Sequence, residues 1–243
     1  MNKIWIGNGQ LVLPDKIVPG GSVLLEGKKI AAVNVPCPPD ARRVDVDGSY
    51  IMAGFVDIHV HGGGDSDFMD EDASAFPTIA KAHCAHGTTA LCPTTMTCAD
   101  SLLEKTIDLF LEADKEPENG AELLGLHLEG PYFSAASKGA QPIGEQRIPE
   151  REDLERILRR AKGSILRWDA APELPNMELF AKVMAENGVL TSLAHSAATA
   201  PEALRAFDWG FSHVTHFYNA CTTFHKKNGL VYSGIVEATY LRD

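Results

Sequence analysis

Basic residues are the minority here: 22 Lys and Arg stand against 33 Asp and Glu in 243 residues, a formal net charge of −11. That balance argues against broad binding to nucleic acid or to an anionic membrane surface, both of which need clustered positive charge. No apolar run approaches the roughly 20 residues of a membrane-spanning helix. The opening MNKIWIGNGQLVLPDK carries Lys3 but neither a long apolar stretch nor a small-residue cleavage site, so no signal peptide is read there. Cysteine is sparse. Cys37, Cys84, Cys92, Cys98 and Cys221 are odd in number and form no CxxC pair, which points to reduced thiols in a cytoplasmic protein. There is no GxGxxG after a first strand, no GxSxG elbow and no cysteine in a nucleophile signature. Dinucleotide chemistry and covalent acyl transfer therefore lack their usual carriers.

What is present is an ordinary globular composition, 44% apolar and 23% charged with 21 Gly and 14 Pro, sufficient for one large core or two modest ones. Residues 1–50 read as a small β domain. The runs IWIGNGQLVL, GSVLLEGKKIAAV and ARRVDVDGSYIM are β-rich and are punctuated by Asn-Gly, Pro-Gly-Gly and Asp-Gly. From residue 51 to 243 the pattern changes. Leu102, Leu103, Ile107, Phe110 and Leu111 lie near amphipathic-helix spacing, as do Leu154, Ile157, Leu158 and Ala161, then Leu179, Phe180, Val183 and Met184, then Ala203, Leu204 and Phe207. Helical stretches stop at Gly87, Gly163, Gly188 and Gly210, each followed at once by an apolar run. Glycine accepts the left-handed geometry that ends a helix, so helix–Gly–strand recurring this way predicts βα alternation and a parallel sheet. Six strands are expected, ending near His59/His61, Pro93, Glu129, Ala171, His195 and His216. An α/β fold of the (β/α)8 type is preferred over an open doubly wound sheet, because polar chemistry gathers at the C-terminal strand ends. Residues 51–243 fall short of the roughly 250 of such a barrel, so the barrel is expected to be incomplete.

Those strand ends carry the chemistry. His59 and His61, two apart on a strand, face one side. Glu129 closes the apolar strand LLGLHLE just before Gly130-Pro131, where a carboxylate is costly unless a cation or hydrogen-bond donors meet it. His195 and His216 close two further strands. Four strand ends thus offer four imidazoles and a carboxylate to one mouth, a donor set suited to zinc, iron, manganese or cobalt at one or two adjacent sites. His83, His86 and His213 are read as ordinary; His213, three residues before His216, would face the other way on a regular strand. Gly62-Gly63-Gly64 reads as a flexible turn.

The segments GFVDIHVHGGG, HGTTALCPTT, LHLEGPYFSAASKGAQ, AHSAAT and THFYNAC, taken in order, resemble the N-acetylglucosamine-6-phosphate deacetylases of the amidohydrolase superfamily. The resemblance covers essentially the whole chain. It implies a (β/α)8 barrel with a small β-sandwich, of which residues 1–50 would be the N-terminal half, and a metal-dependent hydrolase that removes acetate from a phosphorylated amino sugar. It makes Glu129, His195 and His216 ligands of one divalent ion, with His59 and His61 completing a second site. Ala140 and Gln141 correspond to a substrate contact, with Gln141 standing where several relatives have His. Asn219 and Ala220 would meet the sugar phosphate. Lys227 is chosen for the phosphate-binding role that an Arg fills in the family; lysine supplies charge without arginine's bidentate fork. A homodimer is also implied. The alternatives are an amidohydrolase acting on another N-acyl sugar or a cyclic amide, and a metal-binding fragment without activity. The family's proton-transferring aspartate, at the end of an eighth strand, is expected beyond Asp243. The segment GIVEATYLRD reads as helical, and no catalytic residue is assigned within the chain. The 243-residue polypeptide alone is accordingly expected to be poorly soluble or partly unfolded, and to have negligible deacetylase activity.

Overall fold

The computed structural model describes residues 3–142 and 144–242. Contacts divide the chain into two units, Met1–Phe55 and Val56–Asp243. In the first, β1 (Lys3–Val12), β2 (Ile17–Glu26), β3 (Lys29–Val33), β4 (Arg42–Asp45) and β5 (Tyr50–Ile51) form one five-stranded sheet. β1 runs antiparallel to β2 and parallel to β4 and β5, and β2 pairs antiparallel with β3. The run 21–33 folds back on itself at Gly27, whose φ of 60° suits the tight turn that alternating apolar residues alone do not announce. Leu11, Val23 and Ile51 are buried together, with Ile6, Leu13, Val18, Leu25 and Val46 packed around them.

The second unit opens with β6 (Phe55–Val60) and a small hairpin of β7 (Gly62–Gly63) and β8 (Ser66–Asp67), where the sequence suggested a flexible glycine turn. Helix and strand then alternate: α1 (Ala75–Cys84), β9 (Thr88–Thr95), α2 (Asp100–Glu112), a strand interrupted into β10 (Glu122–Leu123) and β11 (Leu126–Glu129), α3 (Arg151–Ala161), β12 (Ile165–Ala170), α4 (Met177–Glu186), β13 (Leu190–Leu193), α5 (Ala200–Trp209) and β14 (His213–Val214). A hairpin of β15 (His225–Lys227) and β16 (Leu230–Tyr232) and a helix, α6 (Ile235–Tyr240), follow. The four helix-ending glycines have φ of 94° at Gly87, 82° at Gly163, 69° at Gly188 and 113° at Gly210. A side chain at those positions would be strained.

The strands order as β6–β9–β11–β12–β13–β14, with β10 also on β9. Together with the helices they make an incomplete (β/α)8 fold of six strands. Among the described residues β6 and β14 each pair on one side only. Side-chain alternation gives the sheet two unlike faces. Leu126, Leu128, Trp168, Ala170 and Leu193 pack against Phe76, Ile107, Phe110, Ile157, Phe180 and Met184 of the helices in one large apolar core. The intervening residues His127, Glu129, Arg167, Asp169 and Ser192 are buried on the opposite, concave face. No helix is long and apolar enough to cross a membrane among the described residues.

Candidate metal centre

The concave face gathers the strand-end residues at one point. Glu129, 2% exposed, ends β11 and directs its two oxygens to two different histidine pairs. Oε1 lies 2.9 Å from His195 Nε2 and 2.6 Å from His216 Nε2. Oε2 lies 3.1 Å from His61 Nε2 and 3.5 Å from His59 Nε2. The Nε2 atoms of His59 and His61 are 3.2 Å apart. Two donor groups result, His59–His61–Glu129 and Glu129–His195–His216, joined through the carboxylate.

The strands explain how each side chain arrives. His59 lies in β6 and His61 one residue past its end, so alternation turns both rings inward. His195 and His216 lie two residues beyond their strands, because β13 stops at Leu193 and β14 at Val214. Both adopt left-handed backbone, with φ of 45° and 56°. That early stop corrects the expected strand ends at His195 and His216. It also removes the parity argument that set His213 against His216, since the two do not share a regular strand. His213 lies beneath the centre, its Nε2 3.3 Å from Arg167 Nη1.

Hydrogen bonds fix which nitrogen of two rings is free. His61 Nδ1 lies 3.2 Å from the Thr94 carbonyl and His195 Nδ1 3.0 Å from the Ser137 carbonyl. A carbonyl only accepts, so each Nδ1 carries a proton. Each Nε2 is the nitrogen that donates to Glu129 in the metal-free chain, or turns its lone pair to an ion that displaces that proton. Ring N–H groups held by carbonyls with the other nitrogen aimed at a shared point are the support that metal-binding histidines use. The donor set fits a divalent ion.

Electrostatics follow from this crowding. Burial opposes the charge on Glu129, but hydrogen bonds from His195, His216, His59 and His61 outweigh it and hold the carboxyl far below the usual carboxylate range. The hydrogen bond to Glu129 raises His216 against opposing burial. For His61 burial is the largest influence and lowers the value, yet the hydrogen bond and charge of Glu129 together win and raise it.

A cavity of about 280 Å³ opens beside the centre, lined by His61, Met96, Glu129, Gly139, Ala140, Gln141, His195, His216, Asn219 and Ala220. Ala140, Gln141, Asn219 and Ala220 therefore share a wall with three of the imidazoles. Gln141 is buried, and its Oε1 accepts the Thr97 N–H at 2.8 Å, which leaves its NH2 group as the remaining donor. A second hollow shares Gly139, Asn219 and Ala220 and adds Ser137, Cys221 and Thr222. The Lys227 side chain lies outside the described residues, as does Asp243.

The model of the amidohydrolase family matches residues 50–238. The chain belongs to the amidohydrolase family. That family is metal-dependent, in keeping with the His and Glu groups found here. The N-acetylglucosamine-6-phosphate deacetylase of Lysinibacillus sphaericus is 31% identical over 201 residues, 80% of this chain and 50% of that protein. The N-acetylgalactosamine-6-phosphate deacetylase of Escherichia coli O157:H7 is 28% identical over 96% of this chain and 58% of its own length. The solved structure of N-acetylglucosamine-6-phosphate deacetylase from Pasteurella multocida superposes with a TM-score of 0.86 at 27% identity, covering 98% of this chain and 62% of that one. This chain thus spans about half to three-fifths of the length of the relatives it matches.

Sequence reasoning passed over one group of buried residues. His127, Arg167 and Asp169 are 1%, 7% and 0% exposed, one layer below or beside Glu129. Arg167 Nη2 lies 2.9 Å from His127 Nδ1, and His127 Nε2 lies 2.9 Å from Asp169 Oδ1, without hydrogen-bond alignment. Burial chiefly, with Arg167 adding to it, keeps the His127 imidazole below its ordinary value despite Asp169. The available signal was spacing: His127 is two residues before Glu129, and Arg167 and Asp169 are two apart, so each pair shares a face.

Proposed function

We propose that this chain carries the metal and amino-sugar sites of a hydrolase that removes acetate from N-acetylglucosamine 6-phosphate, giving glucosamine 6-phosphate. The observation that supports this most strongly is Glu129, whose two oxygens each face a histidine pair on the wall of a cavity that also contains Gln141, Asn219 and Ala220. His59, His61, Glu129, His195 and His216 are the metal ligands in this reading, for two divalent ions, zinc being our choice. What a divalent ion supplies at such a donor set is Lewis acidity toward an amide carbonyl and toward water. The protein's own part is to hold the donors and orient the substrate. Ser137 and Thr94 lock two imidazoles through their carbonyls, and the Gln141 NH2 group donates to an oxygen of the acetamide or the sugar. Asn219 and Ala220, on the wall between the two hollows, receive the sugar phosphate, with Lys227 supplying charge. Among the described residues the cavity wall holds no carboxylate besides Glu129, and this reading assigns no proton-transferring aspartate among them. It also takes the protein to be a homodimer, as the resemblance implies, and cytoplasmic, as its unpaired cysteines suggest.

The match to an N-acetylgalactosamine-6-phosphate deacetylase over 96% of the chain supports a second reading, in which the epimeric sugar is the substrate. Calorimetric binding of both 6-phosphates and of unphosphorylated N-acetylglucosamine to the metal-loaded chain, with acetate release measured in parallel, tests both readings. Preference for one phosphorylated sugar assigns the epimer. Equal binding of the unphosphorylated sugar removes the phosphate site, and no binding of any amino sugar removes the substrate class.

A further inference from the structure

The buried polar cluster below Glu129 has no part in the donor set, and a guanidinium taken out of water costs several kcal/mol unless well compensated. Arg167 is not compensated by a close pair with Asp169: its Nε stands 3.6 Å from Oδ1, and neither that nitrogen nor either Asp169 oxygen has an aligned hydrogen-bond partner among the described residues. The guanidinium instead spends its donors elsewhere. Nη2 donates to the Ile58 carbonyl at 3.0 Å as well as to His127 Nδ1, and Nη1 faces His213.

Ile58 is the residue before His59. On the other side of His59, the Val60 N–H donates to Thr94 Oγ1 at 3.0 Å. The same threonine presents its backbone carbonyl to His61 Nδ1. Thr94 Oγ1 is itself held, 3.1 Å from the Cys92 carbonyl and 3.2 Å from His127 Nδ1. Both peptide groups flanking His59 are therefore anchored by side chains of β9 and β12, on a strand that pairs on one side only among the described residues. The other histidine pair is held differently. His195 leans on the Ser137 carbonyl, and Glu173 grips the next two residues through the Ser196 hydroxyl and the Ala197 N–H, both at 2.6 Å.

We propose that Arg167 and Thr94 are positioning residues dedicated to the His59–His61 half of the centre, so that they govern one ion and not the other. This rests on the reading of the five residues as ligands. The guanidinium and the hydroxyl fix the backbone on either side of His59 and thereby the angle at which both Nε2 atoms meet Glu129 Oε2.

Cobalt(II) titration of the 243-residue chain, followed by calorimetry and by visible absorption, tests the proposal in the wild type and in Thr94→Val, Thr94→Ser, Arg167→Lys and His61→Ala. Two ions are expected in the wild type. In Thr94→Val and Arg167→Lys, the ion that His61→Ala removes should bind about 10–100-fold more weakly, the range for loss of an outer partner of a ligand. The second ion should keep its affinity and spectrum, and Thr94→Ser should restore the first. Equal weakening of both ions, or a fall in the urea midpoint that accounts for the loss, would show a general structural role and overturn the proposal, as would unchanged binding of both. A wild type whose single ion survives His61→Ala also overturns it while sparing the Glu129–His195–His216 site. A wild type that takes up no cobalt overturns the ligand reading itself.

Discussion

Replacing Glu129 with Gln tests the centre at its narrowest point. The two carboxylate oxygens divide the histidines between them, Oε1 to His195 and His216 and Oε2 to His61 and His59. An amide keeps one oxygen and turns the other into an NH2 group that can donate but cannot ligate. Whichever way it settles, one histidine pair loses its shared oxygen and the other loses only the charge. Loss of an outer hydrogen-bond partner costs about 10–100-fold in metal affinity. Loss of a direct donor should exceed the top of that range, about 2.8 kcal/mol at roughly 1.4 kcal/mol per decade. The expected isotherm for Glu129→Gln with zinc or cobalt therefore lacks one ion within the measurable window and shows the other weakened. His61→Ala, which touches one donor group only, should remove one ion and leave the other at its wild-type affinity. Equal stoichiometry in Glu129→Gln with affinities within tenfold of wild type would refute the shared-carboxylate geometry, and so would a larger loss from His61→Ala.

The raised values of His216 and His61 give a pH dependence with a definite sign. A folded value above the unfolded one, about 6.5, means that the metal-free chain owes this pairing a stability fully present below pH 6.5 and lost as pH rises through the raised values. An ion competes with those protons, so its affinity rises across the same window. The gap in melting temperature between loaded and metal-free chain should widen from pH 6 to pH 8, and a constant or narrowing gap would count against the assignment. In the core, Phe180 is fully buried with ring centroids 5.7 Å from Tyr132, 5.8 Å from Trp168 and 5.9 Å from Phe211. Phe180→Ala should cost about 3–5 kcal/mol, read as a shift in urea midpoint; a loss below about 1 kcal/mol would mean that α4 is not seated as described.

Much of the second unit is legible from one device, the glycine that ends a helix before an apolar strand. Gly87, Gly163, Gly188 and Gly210 all take left-handed φ, and no other residue type does so without strain. The gathering of His59, His61, Glu129, His195 and His216 is legible because a parallel strand delivers its last residues to one rim. The interior polar layer is not. Strands covered on both faces lose the contrast between apolar and polar sides that marks a half-exposed strand. In ILRWDA, alternation pairs Arg167 with Asp169 and Leu166 with Trp168, but nothing local says which pair faces the helices. Strand ends are equally silent: β14 comprises only His213 and Val214, because the chain turns left-handed at His216 two residues later.

That left-handed turn reaches beyond geometry. A non-glycine residue in this conformation carries a penalty of roughly 1–2 kcal/mol, and the chain accepts it at both His195 and His216. Glycine at either position would relax the backbone while deleting a donor. The metal-free His216→Gly variant should thus unfold at higher urea than His216→Ala, by about 1 kcal/mol in stability. Histidine still outranks both in the metal-free chain, because His195 and His216 meet the buried Glu129 carboxylate, and stripping a buried charge of a partner costs about 3–5 kcal/mol, more than the strain relieved. The left-handed turns thus persist because the carboxylate beneath them needs both rings, with or without an ion.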